Sequence, residues 1–344
     1  MRKLFSGLIL AMVFSSSAQA QMRPPIFMGG VPGLAQSRAI FLQRHQSRTL
    51  LYREALEELR KNPAAADLPE CSAGQTNGSC LTAPRLSLTE PVIPAAVAPA
   101  PMAPAGVAPT GRRIALLVGN NEYAKPIPPL ETPIADVSKI ARLLEDRFGF
   151  DTRIIKNAGQ TAIIGALNKI AADARPNDSV LLFYAGHGYL MEDIEMGFWI
   201  PVDASVKTAR GWISNKDISK LLSAIPARQL ILISDSCFSG TLTKEQKVST
   251  ESTAATDELL QRRSVLALSS GGDEPVSDEG KQGHSIFAWN LIKALEETGG
   301  ITPGAKVWKT VHGGVSREYP QEPQYGAVVS AGHVAGGDYL FRPK

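Results

Sequence analysis

The most constraining feature of this sequence is a series of short apolar runs that alternate with helical patterns in its C-terminal two thirds. The runs predicted as strands are Ile114–Val118, Thr152–Lys156, Ser179–Tyr184, Gln229–Ser234, Ser264–Ser269 and Asp338–Phe341. Between them, apolar residues recur at helical spacing over 132–148, 161–174, 215–224 and 285–297. Thr132 is the expected N-cap of the first of these helices, with Pro133 in its first turn. Strands that are apolar on both faces are typical of a parallel sheet buried between two layers of helices. We therefore expect an α/β fold with a mostly parallel sheet and helices on both faces.

Residues 1–20 have the pattern of a secretory signal peptide. Arg2 and Lys3 precede an apolar stretch over 4–14, and Ala18-Gln19-Ala20 forms a small-residue cleavage site. The pattern predicts an exported protein, periplasmic or secreted, and therefore an oxidising environment. Of the three cysteines, Cys71 and Cys80 are close enough for a local disulfide. Cys237 then has no partner and is a candidate reactive thiol.

Composition divides the exported chain into three parts. Residues 21–81 form a predicted helical segment whose periodic pattern runs from about Ser37 to Lys61 and ends before Pro63. This helix could be a pro-segment, a partner-binding helix or an element that packs on the main domain. Residues 82–110 form a Pro/Ala-rich linker that favours extended conformations. The main domain then covers residues 111–344.

The charge balance excludes several classes of partner. The chain has 36 Lys and Arg residues against 33 Asp and Glu, a net charge of +3. This is not the basic field that nucleic-acid binding requires, so no nucleic-acid partner is expected. After the signal peptide no run of about 20 apolar residues remains, so no membrane span is expected either.

Two reactive side chains follow neighbouring apolar runs in the sequence. The third predicted strand leads into Tyr-Ala-Gly-His187-Gly188, and the fourth leads into Asp235-Ser-Cys237. Functional groups in parallel sheets gather at the carboxyl ends of the strands. A thiol has a pKa of about 8.5 and needs a base to become a thiolate, a role that His187 can fill for Cys237. The backbone N–H groups of Gly188 and Cys237 are the expected oxyanion donors.

Other chemistries lack their sequence signatures. A cysteine phosphatase needs an Arg six positions after the thiol, and position 243 is Thr. The chain has no phosphate-binding Gly-rich loop, no Gly-x-Ser-x-Gly elbow and no His-Glu-x-x-His zinc motif.

From Arg113 to Phe341 the chain resembles the caspase-type cysteine peptidases, in particular the metacaspase and orthocaspase branch. The motifs that carry the resemblance are Leu-Val-Gly-Asn-Asn at 117–121, Tyr-Ala-Gly-His-Gly at 184–188, Ile-Pro-Val-Asp at 200–203, Asp-Ser-Cys-x-Ser-Gly at 235–240, and a distal block from Ser269 to Phe287. The resemblance implies a caspase–haemoglobinase-like sheet with a large-subunit-like part at 111–240, a processing loop at 241–263 and a small-subunit-like part at 264–344.

The resemblance also implies a Cys–His dyad of Cys237 and His187 in a cysteine-type endopeptidase. Asp235 stands two residues before the thiol, as in the branch that cuts after Arg or Lys, so the expected partner is a protein or peptide with a basic residue before the scissile bond. A carboxylate there can pair with a guanidinium. Asp136 matches the second acid of the family's pocket, and its alternative interpretation is an ordinary exposed charge on a helix.

No cofactor is expected to be required, and calcium binding is left open because some relatives bind calcium. The acids in the corresponding region are Glu192, Asp193, Glu195 and Asp203, whose spacing is not that of a calcium cage.

The loop at 241–263 contains Lys244, Lys247, Arg262 and Arg263 and is a candidate self-processing segment for an enzyme that prefers basic residues. The rival hypothesis is a catalytically silent caspase-like scaffold or interaction module, in which the N-terminal segment and the linker tether a partner.

Overall fold

A computed structural model describes residues 39, 43, 46–72, 75, 77–82, 111–236, 242–243, 245–248, 256–271 and 280–344. The predicted signal peptide, nearly all of the predicted linker and Cys237 lie outside the described residues. All described residues belong to one compact unit, which covers residues 33–344.

The strands alternate with helices as the apolar pattern predicts. The described strands are β1 (Arg113–Gly119), β2 (Asp151–Lys156), β3 (Ser179–Ala185), β4 (Gly188–Met191), β5 (Met196–Trp199), β6 (Ile213–Ser214), β7 (Gln229–Asp235), β8 (Gln246–Lys247), β9 (Ser264–Ser269), β10 (Gly280–Lys281), β11 (His284–Ser285), β12 (Thr302–Pro303), β13 (Gln324–Ala327) and β14 (Leu340–Phe341). The described α-helices are α1 (Arg53–Lys61), α2 (Pro133–Phe148), α3 (Gln160–Asp173), α4 (Asn215–Ala224), α5 (Thr256–Gln261), α6 (Ile286–Glu296) and α7 (Gly304–Glu318).

Among the described residues, the main sheet has seven strands in the order β2-β1-β3-β7-β9-β13-β8. The first five strands in this order pair in parallel, and β13 and β8 are antiparallel additions at one edge. The parallel strands end at the same edge of the sheet, because β3 and β7 pair in register from Ser179↔Gln229 to Ala185↔Asp235. The expected α/β fold with a mostly parallel sheet is confirmed.

Side chains of each central strand alternate between two apolar cores. On β3, Leu181 and Phe183 face the core formed with α2, α6 and α7, whereas Val180, Leu182 and Tyr184 face the core formed with α3 and α4. Each buried Leu, Phe or Val side chain contributes about 1.5–3 kcal/mol relative to an exposed one. Because successive strand residues point to opposite faces, a run that is apolar at every position must be covered on both sides.

A smaller sheet, β4-β5-β6, lies beyond the carboxyl end of β3. The sequence did not predict this sheet, because its strands have only two to four residues. The helix α7 and the strand β13 were not predicted either. The predicted strand Asp338–Phe341 is not part of the main sheet. Only Leu340–Phe341 is strand, and it pairs with β12. Such short strands are defined by their partners, which local patterning does not reveal.

The predicted N-cap of α2 also differs from the structure. Thr132 precedes the helix but makes no side-chain capping bond. The Asn121 side-chain oxygen instead accepts the Ile134 N–H at 2.9 Å. The cap therefore comes from the loop after β1.

The N-terminal helical segment packs on the smaller sheet. Tyr52, Leu56 and Leu59 are buried in one cluster with Tyr189 and Trp212. The Tyr52 ring makes edge contacts with both of these aromatic rings. Of the three roles left open for this segment, packing on the main domain is the one observed in the described residues.

Cys71 and Cys80 are joined by a disulfide. The loop they close contacts α3, because the Asn168 side chain donates to the Cys80 carbonyl at 2.7 Å and accepts the Thr82 N–H at 3.0 Å. In the described part of the chain, no helix is both long and apolar enough to cross a membrane.

Candidate active site

His187 lies in the two-residue connection between β3 and β4. The connection requires Gly186, because a Cβ there would lie 2.6 Å from the Tyr123 hydroxyl and 2.8 Å from the Tyr184 hydroxyl. The glycine thus allows two phenols to approach the backbone beside His187.

Both backbone polar groups of His187 are bound by these phenols. The His187 N–H donates to the Tyr123 hydroxyl at 2.8 Å, and the Tyr184 hydroxyl donates to the His187 carbonyl at 2.9 Å. Burial raises the pKa of both phenols, which therefore stay protonated. Two buried hydroxyls thus hold the backbone of His187, one at its N–H and one at its carbonyl.

The imidazole of His187 has a defined tautomer. Its Nε2 lies 2.8 Å from the Pro128 carbonyl oxygen, which can only accept, so Nε2 carries the proton and Nδ1 has the lone pair. The side chain is only 3% exposed. Burial, with a smaller contribution from Arg48, lowers the pKa of His187 to about 3. At neutral pH the ring is uncharged and able to take a proton at Nδ1.

The chain leading to the candidate nucleophile runs beside the chain leading to His187. Ala185 pairs with Asp235 across β3 and β7, and the Gly186 N–H donates to the Asp235 carbonyl at 3.3 Å. Asp235 and Ser236 are both buried. Cys237 follows Ser236 and lies outside the described residues.

Gly188 begins β4 opposite Trp199. The adjacent ladder bond runs from the Ile200 N–H to the His187 carbonyl at 3.0 Å. This is the pattern of a non-hydrogen-bonded pair at 188 and 199, so the Gly188 N–H is not directed at β5.

Asp136 and Asp235 come from different elements and meet the same short strand. Asp136 lies in the first turn of α2, and its Oδ1 is 2.7 Å from Nδ1 of His284. Its Oδ2 accepts the Ser285 N–H at 3.4 Å, and the Ser285 hydroxyl donates to Oδ2 of Asp235 at 2.5 Å. Asp136 is 0% exposed and Asp235 is 7% exposed. The alternative interpretation of Asp136 as an exposed helix charge is therefore wrong.

Two of the four acids considered for calcium bind other groups of the protein. Asp193 forms an ion pair with Arg60 at 2.9 Å, and Asp203 accepts the first N–H of α3, that of Gln160, at 2.9 Å. In the described ranges no group of three or more His, Cys, Asp and Glu side chains is arranged to hold a metal ion. These residues do not fit a calcium cage.

Sequence reasoning did not assign a role to four residues of this site: Tyr123, Pro128, His284 and Ser285. His284 and Ser285 lie in the distal motif from Ser269 to Phe287, so the sequence marked their region but gave neither residue a function. Pro128 acts through its carbonyl, which residue type does not reveal. Tyr123 lies in the loop after β1, where a single aromatic residue carries no pattern.

Comparisons with known proteins identify the family of this chain. The family model described as a caspase domain matches residues 112–329. Metacaspase-1 of Meyerozyma guilliermondii is 31% identical over 151 residues, which cover 38% of this chain and 36% of that protein. Metacaspase-1B of Aspergillus fumigatus is 32% identical over 151 residues, with the same two shares.

The matched region thus spans little more than a third of either relative. A crystal structure of a Geobacter sulfurreducens protein aligns with 66% of this chain and 99% of its own, with 17% identity and a TM-score of 0.48. Since the caspase-domain model matches more than half of the sequence, the protein belongs to the caspase-domain family of peptidases.

Proposed function

We propose that this protein is a cysteine endopeptidase that uses His187 and Cys237 and cleaves after Arg or Lys. The observation that carries the proposal is the in-register pairing of β3 with β7, which ends at Ala185 and Asp235. His187 and Cys237 each stand two residues beyond that last pair in the sequence. Neighbouring parallel strands that both end in reactive side chains are the expected arrangement for a dyad at a sheet edge.

The first step is proton transfer from the Cys237 thiol to Nδ1 of His187. Nε2–H stays on the Pro128 carbonyl, which keeps the ring oriented and leaves Nδ1 as the basic atom. The thiolate then attacks the scissile carbonyl carbon and forms a tetrahedral intermediate. Burial disfavours a lone imidazolium, so the protonated ring is stable only while the thiolate or the oxyanion is beside it.

The second step breaks the peptide bond. The N–H groups of Gly188 and Cys237 would receive the oxyanion, and the imidazolium would return its proton to the leaving amine. Water, deprotonated by the same Nδ1, would then hydrolyse the thioester and release the acid product and the thiol.

The basic-residue preference rests on the two buried acids. Asp136 and Asp235 bind the same two-residue strand, β11, and little solvent reaches either carboxylate. Carboxylates in such surroundings gain most from a cationic partner, and a guanidinium can bind a carboxylate with two parallel hydrogen bonds. We therefore propose protein or peptide substrates with Arg or Lys before the scissile bond.

The test is a panel of matched fluorogenic peptides ending in Arg, Lys or Asp, assayed under reducing conditions. We expect the wild type to cleave the Arg and Lys peptides, and Cys237→Ala and His187→Ala to lose this activity. Asp235→Ala should lose cleavage of basic peptides while Cys237 is still alkylated by iodoacetamide. Asp173→Asn, which changes an exposed carboxylate on α3, is the control and should behave as wild type.

Two results would contradict the proposal. An unchanged rate of cleavage of basic peptides by Asp235→Ala would contradict the assignment of Asp235 to the substrate pocket. A wild type with no turnover of any peptide and no alkylation at Cys237 would favour the scaffold alternative.

Self-processing is proposed for the bond after Lys244. The other three basic residues of the 241–263 segment are held in the fold. The Lys247 backbone is in β8 opposite Gly326, Arg262 donates to the Ala335 carbonyl at 3.2 Å and pairs with Glu258, and Arg263 donates to three backbone carbonyls. Lys244 itself lies outside the described residues. The segment is also less open than the expected loop, because β8 and α5 lie within it. The test is to incubate wild type and Cys237→Ala side by side and to follow cleavage of each chain. Equal cleavage of both proteins would rule out self-cleavage.

We further propose that the protein is exported and active without a bound cofactor. The disulfide between Cys71 and Cys80 supports an oxidising compartment. Cell fractionation and the peptide assay with added EGTA or calcium test these two points.

A further inference from the structure

Ser285 is the point at which the two candidate pocket acids meet. Its backbone N–H donates to Oδ2 of Asp136 at 3.4 Å, and its hydroxyl donates to Oδ2 of Asp235 at 2.5 Å. Asp136 comes from α2 and Asp235 from the end of β7, and Ser285 lies on β11 between them. One residue thus binds two carboxylates that are far apart in the sequence.

The hydroxyl of Ser285 is also fixed from the other side. Its oxygen accepts the Ala288 N–H at 2.9 Å and so caps α6. A hydroxyl has one proton and two lone pairs, so the capping bond occupies a lone pair and directs the proton toward Asp235. Ser285 is 3% exposed, so water has little access to replace either bond.

The neighbouring residue completes the arrangement. Nδ1 of His284 lies 2.7 Å from Oδ1 of Asp136, so both carboxylate oxygens of Asp136 bind β11. Burial, with a smaller contribution from Lys139, lowers the pKa of His284. A carboxylate oxygen only accepts, so Nδ1 of His284 donates this bond to Asp136.

We infer that Ser285 is a positioning residue that holds Asp136 and Asp235 at the spacing needed for one basic side chain. The inference rests on the proposed cleavage after Arg or Lys. Ser285 would not touch the scissile bond. Its effect would be on substrate affinity and on selection of Arg, through the orientation of Asp235.

The experiment compares Ser285→Ala, Ser285→Thr and wild type with the Arg and Asp peptides. Ser285→Ala should raise KM for the Arg peptide by about 10- to 100-fold with little change in kcat, the size expected when a hydrogen bond to a charged group is lost. Ser285→Thr keeps the hydroxyl and should stay within about threefold of wild type. The rate of Cys237 alkylation by neutral iodoacetamide should be the same in all three proteins.

Ser214→Ala is the matched control. Ser214 caps α4 by accepting the Asp217 N–H at 3.1 Å, and it donates to a buried carboxylate, Oδ2 of Asp217, at 2.8 Å. Ser214→Ala therefore loses the same two kinds of bond as Ser285→Ala, at a position away from Asp136 and Asp235. We expect a similar drop in Tm in both alanine variants, but a raised KM only in Ser285→Ala.

The outcomes separate this inference from the proposed function. A wild type that does not prefer Arg over Asp overturns the proposed specificity and this inference together. If the wild type prefers Arg but Ser285→Ala has an unchanged KM for the Arg peptide, only the role of Ser285 is overturned.

Discussion

At the scale of single residues, the proposed general base His187 is held by its backbone as much as by its side chain. Tyr123 accepts the His187 N–H, and Tyr184 donates to the His187 carbonyl. Tyr123 and Pro128 belong to the same loop after β1, so this loop binds both the backbone and the imidazole. The buried backbone N–H and carbonyl of His187 would be costly to leave unpaired.

The phenol that accepts the His187 N–H should therefore matter for turnover. Tyr123→Phe removes the acceptor of the buried His187 N–H and so loosens the backbone that positions the imidazole Nδ1. We expect kcat for an Arg peptide to fall by about 10- to 100-fold with KM changed less than about twofold. The measurement is the pH profile of kcat and of kcat/KM for both proteins.

Tyr339→Phe is the control for this change, because Tyr339 is a buried tyrosine whose hydroxyl binds Ser179 away from the site. It should lower Tm without lowering kcat of the folded protein. Equal losses of kcat in the two variants would show that Tyr123 acts only through stability.

At the scale of elements, α7 shows how packing overrides local sequence. It contains Gly313 and Gly314, which disfavour a helix, yet it runs from Gly304 to Glu318. A Cβ at Gly314 would lie 2.1 Å from the side-chain oxygen of Asn290 on α6, whereas one at Gly313 would come only within 3.7 Å of Arg317. Asn290 cannot turn away without losing its bond to the Ile286 carbonyl at 2.9 Å.

These two adjacent glycines give a matched pair of variants. Gly313→Ala should stabilise the protein by about 0.5–1 kcal/mol, because alanine lowers the entropy of the unfolded chain and fits the helix. Gly314→Ala should destabilise it by about 1–3 kcal/mol, since the methyl group overlaps Asn290. Urea unfolding of both variants and of the wild type measures these changes in the free energy of unfolding. The same sign of change in both would contradict the close packing of α6 on α7.

At the scale of the whole molecule, buried neutral histidines link stability to pH. Burial lowers the pKa of His187 to about 3 and also lowers the pKa of His333, whose Nδ1 accepts the Val265 N–H at 3.2 Å. The unfolded chain has these groups near their ordinary pKa of 6.5, so below that pH it binds more protons than the folded protein. Stability should therefore be fully present above about pH 6.5 and decrease as the pH falls toward the folded-state pKa values.

The expected result is a free energy of unfolding that is lower at pH 5.5 than at pH 7.5, by at most about 1.4 kcal/mol per pH unit for each such histidine. His333→Asn keeps an acceptor for Val265 without titrating and should show a smaller decrease. Burial raises the pKa of Asp217 and Asp338, so these two carboxyl groups act in the opposite direction. A pH dependence that is equal in wild type and His333→Asn would contradict this account.

Much of the architecture could be predicted because it depends on local pattern. The runs at β1, β3, β7 and β9 are apolar at nearly every position, which requires a sheet covered on both faces, and this was confirmed. The two-to-four-residue strands of the smaller sheet and the glycine-containing α7 could not be predicted, since their stability comes from residues distant in the sequence.

For the site, local sequence is enough to predict which chemical groups are present and which strand ends carry them. His187 follows β3, Asp235 ends β7 and Cys237 follows it in the sequence, and side-chain type and apolar periodicity are local properties. The register of β3 beside β7, and the contact of the Pro128 carbonyl that selects the imidazole tautomer, come from packing of the folded chain. That packing alone brought Asp136 to Ser285, 149 residues away in the chain. Hydrogen bonds over such separations depend on how the helices and strands pack, which no local pattern specifies.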